Sequence, residues 1–196
     1  ETKSSECIII DPGNPSQESI IEILKKGNKK IRAVFLTHEH YDHIAGIDEL
    51  TSYCQFDLYC SAACKKGLVD ATLNLSDYID NISPLIIKKV PIVVHDKISI
   101  VIDNLRFMLF LTPGHSPGGI CIKSENAVFT GDTLLNEIKT PLNLPGSNHA
   151  KYHNSLKKLE KIIYPGDIVY PGHGEPFEFQ EGMLEIEYQA KEFKER

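Results

Sequence analysis

The stretch "AVFLTHEHYDH", Ala33–His43, runs an apolar segment directly into three histidines and two acids. Imidazoles and carboxylates at that density repel and desolvate one another unless a shared cation organises them. Ile31–Leu36 reads as a buried strand. If its extended geometry persists a little further, His38 and His40 leave the same face, so one metal can take both. Asp42 and His43 fall where the chain turns into a helix, expected over His43–Tyr53, and point elsewhere. The motif therefore reads as serving two metals. It is not the zinc-protease pattern His-Glu-x-x-His, because Asp42 stands where the second histidine belongs.

Moving outward, the same grammar recurs. An apolar strand ends in a tight turn that carries an acid or an imidazole: "FMLFLTPGH" with His115, "NAVFTGD" with Asp132, "IVYPGH" with His173. Five of the eight histidines occupy such turns, and strand ends in layered α/β folds converge on one rim where sites are built. His38, His40, His43, Asp42, His115, Asp132 and His173 make seven groups. Three plus three, with Asp132 bridging, leaves room for a shared water, which two cations about 3.5–4 Å apart would acidify toward pH 7. Nitrogen and oxygen ligands suit zinc first, with iron or manganese as alternatives.

One motif is a decoy. "GHSPG", Gly114–Gly118, matches the G-x-S-x-G nucleophile elbow. Pro117 has no N–H to offer an oxyanion hole, and Gly118–Ile122 reads as strand, not helix.

The remaining pattern mixes strands and helices, an α/β layered fold. Strands are expected at Cys7–Ile10, Ile120–Lys123, Ala127–Phe129 and Ile168–Tyr170, with a hairpin of Ile98–Ile102 and Leu105–Leu111. Helices are expected over Ser16–Lys26, with Ser16 as N-cap, near Asn154–Ile163, and in the charged tail from Glu181. At 196 residues and 41% hydrophobic composition, one domain over 1–196 is expected. The net charge of −6 without basic blocks gives no case for nucleic acid or a membrane surface, and no run is long enough to span a bilayer. Five scattered cysteines read as reduced, buried thiols of a cytoplasmic protein, with Cys60 and Cys64 as core residues before half a metal site.

Asp11 after a strand, "HEHYDH", "TPGHSPG", "TGDTL" and "YPGHG" occur in the order that resembles the metallo-β-lactamase-fold superfamily, over almost the whole chain. The resemblance implies a four-layer αβ/βα sandwich with two metals at one edge; the family's first strand has no counterpart ahead of Cys7. It implies His38, His40 and His115 on the first metal, Asp42, His43 and His173 on the second, Asp132 bridging, and Asp11 orienting the histidine loop. "TPGHSPGG", "FTGDTLL" and "VYPGHGEP" look most like the glyoxalase II, or hydroxyacylglutathione hydrolase-like, group, which implies thioester hydrolysis by a metal-bridging hydroxide with Asp42 or Asp132 taking the proton. Asp132 speaks against a β-lactamase and His40 against a flavodiiron protein. The C-terminal helical domain and the Gly-Arg pair that serve that group have no match here, where "NEIKTPLNLPGSN" follows. A small-molecule acyl substrate is expected, met by Lys139, His149, Lys151, Tyr152 or His153 on a loop overhanging the site. Alternatives are a mononuclear iron persulfide dioxygenase using His38, His115 and Asp132, and a lactonase or β-lactamase-like hydrolase.

Overall fold

The computed structural model describes residues 5–13, 20–136 and 138–184. Two sheets face each other. The first holds β1 (Glu6–Ile10), β2 (Lys30–Phe35), β3 (Asp57–Ser61) and β4 (Ile92–Val94), all parallel, in that order. The second runs β10 (Phe177–Glu178), β9 (Ile168–Pro171), β8 (Ala127–Gly131), β7 (Ile120–Ser124), β6 (Leu105–Leu111), β5 (Ile98–Ile102). Its pairs are antiparallel except β8 with β9. Helices α1 (Ile20–Lys26), α2 (Tyr41–Ile44), α3 (Ile47–Tyr53) and α4 (Ala62–Gly67) belong to the first half, and α5 (His149–Leu159) to the second.

The sequence explains the layering. β2 is buried on both faces, as parallel strands between layers are. Val34 and Leu36 pack outward on Leu24 of α1, Ile47 and Leu50 of α3 and Cys64 of α4. Ala33 and Phe35 pack inward on Phe107, Leu109, Ile120 and Ile122 of the second sheet. Ile31, two before Ala33, nevertheless joins the outward cluster. A bulge accounts for this: Cys7 pairs Ile31 but Ile8 pairs Ala33, so Arg32 is the extra residue and the alternation flips across it. On the far side, Cys121, Val128 and Val169 meet Tyr152, Leu156 and Leu159 of α5. The four layers are thus helices, sheet, sheet, helix, the expected αβ/βα sandwich. Phe35 lies at its centre, 5.0 Å from the Tyr59 ring and 5.2 Å from that of Phe107. A side chain of that size contributes roughly 2–3 kcal/mol by leaving water.

Several elements depart from expectation. The single helix expected over His43–Tyr53 is two, α2 and α3, separated at Ala45-Gly46. There Gly46 approaches the carbonyl oxygen of Pro12 so closely that a Cβ would lie 2.9 Å from it. α5 starts at His149, five residues before the helix expected near Asn154, because Asn148 caps it by accepting from the Lys151 N–H at 2.9 Å. Strands β3 and β4 and helix α4 were not expected. Ser16 and most of the tail helix lie outside the described residues. No helix among the described residues is long and apolar enough to cross a membrane.

Candidate metal centre

Both sheets deliver side chains to one rim. β1 and β2 are parallel and end at Asp11 and at the His38 loop; β6, β8 and β9 also run in one direction and end at His115, Asp132 and His173. All seven predicted ligands meet there. His38, His40 and His115 form one cluster and Asp42, His43 and His173 a second, each with ligand atoms within 4.8 Å of one another. Asp132 sits between them. Its Oδ2 is 3.4 Å from His115 Nε2 and 3.5 Å from His173 Nε2, and its Oδ1 is 3.5 Å from His43 Nε2. His173 Nε2 lies 3.1 Å from Asp42 Oδ2.

The surrounding hydrogen bonds choose which nitrogen each histidine presents. Thr37 donates its one hydroxyl proton to Asp11 Oδ2, so its oxygen accepts from His38 Nδ1 at 3.0 Å. His43 donates Nδ1–H to Asp11 at 2.8 Å, and His115 donates Nδ1–H to the Pro141 carbonyl at 2.9 Å. In all three rings Nε2 is thereby turned to the rim. His40 instead brings Nδ1 to within 3.0 Å of His115 Nε2. Asp11 therefore serves two histidines, His43 directly and His38 through Thr37, while its N–H acceptor role toward Thr37 at 2.7 Å holds the loop. It adopts φ +48°, a left-handed conformation that aspartate tolerates better than most residues.

The donor set suits a cation. Nε2 of His38 and His43, both turned to the rim, and Oδ1 of Asp132 are buried without a hydrogen-bond partner. Each such orphan costs about 1–3 kcal/mol unless something engages it, and divalent metals engage these atoms. Gly172 keeps the space open: a Cβ there would collide with Asp132 Oδ1 and lie 2.7 Å from His43 Cε1. Electrostatics agree. Burial and the neighbouring imidazoles hold His38 well below the usual imidazole range, and burial with His115 pushes His40 down to about 3. Burial opposes charge on His43 too, but Asp11, Asp132 and Asp42 together raise it to about 9. Asp42, despite its burial, is held at about 2 by its hydrogen bond to His173 and by His43. The acids require positive charge, while His38, His40 and His115, each held below the usual imidazole range chiefly by burial, stay neutral, ready as ligands.

Glu39, given no role by its alternation away from the ligands, is 2% exposed. It accepts from Gly118 N–H at 3.1 Å and from Ser116 Oγ at 3.2 Å, tying the His38 loop to the loop that carries His115. Burial raises its carboxyl pKa, against those hydrogen bonds. Ser116, the decoy nucleophile, is used up in this clamp.

A cavity of about 380 Å³ opens beside the candidate ligands His40, Asp42, His115, Asp132 and His173. Lys139, His149, Lys151, Tyr152 and His153 are not on its wall. The last four belong to α5, and Tyr152 is core. The start of α5 braces the ligand loop instead of overhanging the site: Asn148 N–H donates to Gly114 O, Ser147 Oγ to His115 O and Ser155 Oγ to Pro113 O. A larger cavity, about 610 Å³, lies between β1 and β6, β8 and β9, behind Asp11 and Thr37. The seven ligands do not line it. Cys60 and Cys64 are buried in the core, as expected.

Residues 2–173 match the model of the Metallo-beta-lactamase superfamily (Lactamase_B), and the chain belongs to that superfamily. A probable polyketide biosynthesis zinc-dependent hydrolase, PksB of Bacillus subtilis (strain 168), is 31% identical over 170 residues, 87% of this chain and 68% of that protein. A hydroxyacylglutathione hydrolase of Tolumonas auensis (strain DSM 9187 / NBRC 110442 / TA 4) is 30% identical over 172 residues, 87% of this chain but 58% of its own length. Among solved structures, BLEG-1 B3 metallo-beta-lactamase superposes with a TM-score of 0.85 at 28% identity, covering 93% of this chain and 88% of that one.

Proposed function

We propose that this chain is a dinuclear metal hydrolase that cleaves thioesters, with zinc in both positions. The observation that carries the reading is the pair of candidate ligand clusters with Asp132 between them and buried ring nitrogens that have no hydrogen-bond partner. Two divalent cations held there would supply an acidified water and a polarised carbonyl. The chain's residues do the rest. His38, His40 and His115 would hold one cation and Asp42, His43 and His173 the other, with Asp132 shared between them. Asp42 and Asp132 line the cavity, and either would take up the proton of the water. A thiolate leaves without much general-acid help.

Zinc is supported by the name of the Bacillus relative and by the nitrogen-rich ligand set, and thioester cleavage by the hydroxyacylglutathione hydrolase likeness. The close superposition on BLEG-1 favours a second reading, hydrolysis of a β-lactam ring by the same centre. Metal analysis of the purified protein, joined to a panel of thioesters, lactones and β-lactams, decides. The expected result is two zinc ions per chain and thioester turnover, with both lost in His38→Ala and Asp132→Ala. β-Lactam turnover alone would establish the second reading. One iron per chain with oxygen consumption would point to the dioxygenase, and full activity in metal-free protein would refute every metal-based reading.

A further inference from the structure

The cavity beside the metal ligands has a composition that the reaction centre does not require. Apart from the ligands and Tyr41, its wall is made of Leu75, Ile79, Leu135, Ile138, Pro141 and Leu144. No lysine or arginine lines it among the described residues, although Lys139 is the exposed neighbour of Ile138. Ile79 and Ile138 keep 37% and 53% of their surface exposed. Large apolar side chains left in water around a concave site are a mark of ligand binding.

Both walls are held firmly. Leu75 adopts φ +67°, a conformation unfavourable for a branched side chain, which persists only where neighbours impose it. They do so through Asn74, fully buried, whose amide donates to Gly67 O at 2.9 Å and Leu85 O at 2.8 Å, and whose side-chain oxygen accepts from Ser76 N–H at 3.0 Å. Its carbonyl also accepts from Tyr41 N–H at 2.9 Å, which ties this wall to the ligand helix α2. The opposite wall is fixed by Thr140 Oγ1, donating to Asp132 O at 3.0 Å, and by His115 on Pro141 O. Apolar surface that is already in place binds apolar groups without an ordering cost.

We infer that the acyl half of the substrate is an uncharged, apolar group, aliphatic or aromatic, buried against these six side chains. The inference rests on the acyl-hydrolase reading above. With the scissile carbonyl at the ligand cluster, the acyl group fills the cavity and the polar thiol half extends to solvent. A carboxylate or ammonium on the acyl group would lose its hydration against leucine and isoleucine with no partner in return. The volume, about 380 Å³, lies at the small end of ordinary ligand sites.

The test uses the metal-loaded protein and N-acetylcysteamine thioesters of acetate, butyrate, hexanoate and succinate. The corresponding thioethers, with CH2 in place of the carbonyl, are measured for binding by calorimetry. kcat/KM and thioether affinity should each rise about fourfold per buried methylene until the cavity is full. The succinyl compounds should fall at least tenfold below the butyryl ones. Ile138→Lys, at a half-exposed position, should raise the succinyl-to-butyryl ratio at least tenfold with little effect on folding. If no thioester is cleaved but thioether affinity follows chain length, the hydrolase reading fails and the apolar site stands. Affinities that ignore chain length, a preference for the succinyl compound, or no thioether binding at all would overturn the inference.

Discussion

Asp11 illustrates how much one side chain controls at the rim. One carboxylate accepts from the Thr37 N–H and hydroxyl and from His43 Nδ1, and through Thr37 it sets the His38 tautomer. Asp11→Asn retains one acceptor oxygen but places an amide where a carboxylate faced a ring N–H. Losses of 10–100-fold in metal affinity are usual when such supporting partners are removed. Competition with a chelator of known affinity should show a loss in that range; an unchanged affinity would mean that Thr37 and His43 hold themselves. The convergence of the seven candidate ligands on one rim was legible beforehand, because ligand chemistry admits few side chains and strand ends place them in turns. Glu39 was not. Its role comes from contacts with Ser116 and Gly118, 77 and 79 residues away, which no local pattern encodes. Nor were Leu75 and Ile79 readable as cavity wall, since an apolar residue in a loop carries no label.

At the scale of elements, the segment between β4 and β5 is pinned to the second half of the molecule by Asp96. Its carboxylate accepts from the Leu111 N–H at 2.8 Å and from Lys158 Nζ at 3.0 Å, and Lys158 also donates to Leu111 O at 2.6 Å. Some burial opposes the ionised Asp96, but Lys158 and the Leu111 N–H outweigh it and lower its pKa below the usual carboxylate value. A depressed folded-state pKa contributes stability above the unfolded value, lost as pH falls through the folded one. The pair is partly exposed, so about 0.5–1 kcal/mol is the expected size. Urea unfolding of the wild type and Asp96→Asn should differ by that amount at pH 7 and converge once the pH has fallen through the lowered pKa of Asp96; a gap that persists in acid would show that shape, not charge, matters there. Element boundaries were the least legible part of the sequence. β4 is three residues long and β3 opens on Asp57, so neither shows an alternation long enough to read. The early start of α5 was encoded in Asn148, but the polar first turn that follows hid it.

For the whole molecule, the mixture of strands and helices indicated only a layered α/β fold, and the four layers were implied by the motif resemblance; in the structure β2 and β7 carry apolar residues on both faces, so each sheet is covered on both sides. What each sheet borders at its edges was not readable, and the 610 Å³ cleft behind the site had no signature in the sequence. The candidate ligands follow β2 in the first sheet and β6, β8 and β9 in the second, so no one sheet holds a complete set. Any cation bound there clamps one half of the sandwich to the other, and binding is coupled to folding. Saturating each of two sites at a hundred times its Kd adds about 2.7 kcal/mol per site, which for a chain of this size raises Tm by about 10–20 °C. Scanning calorimetry with and without a chelator measures it, and a shift of only a degree or so would show that the sheets need no such rivet. The wider consequence concerns supply. When metal is scarce, the protein would lose lifetime as well as ligands, because the unclamped sandwich is what a protease meets.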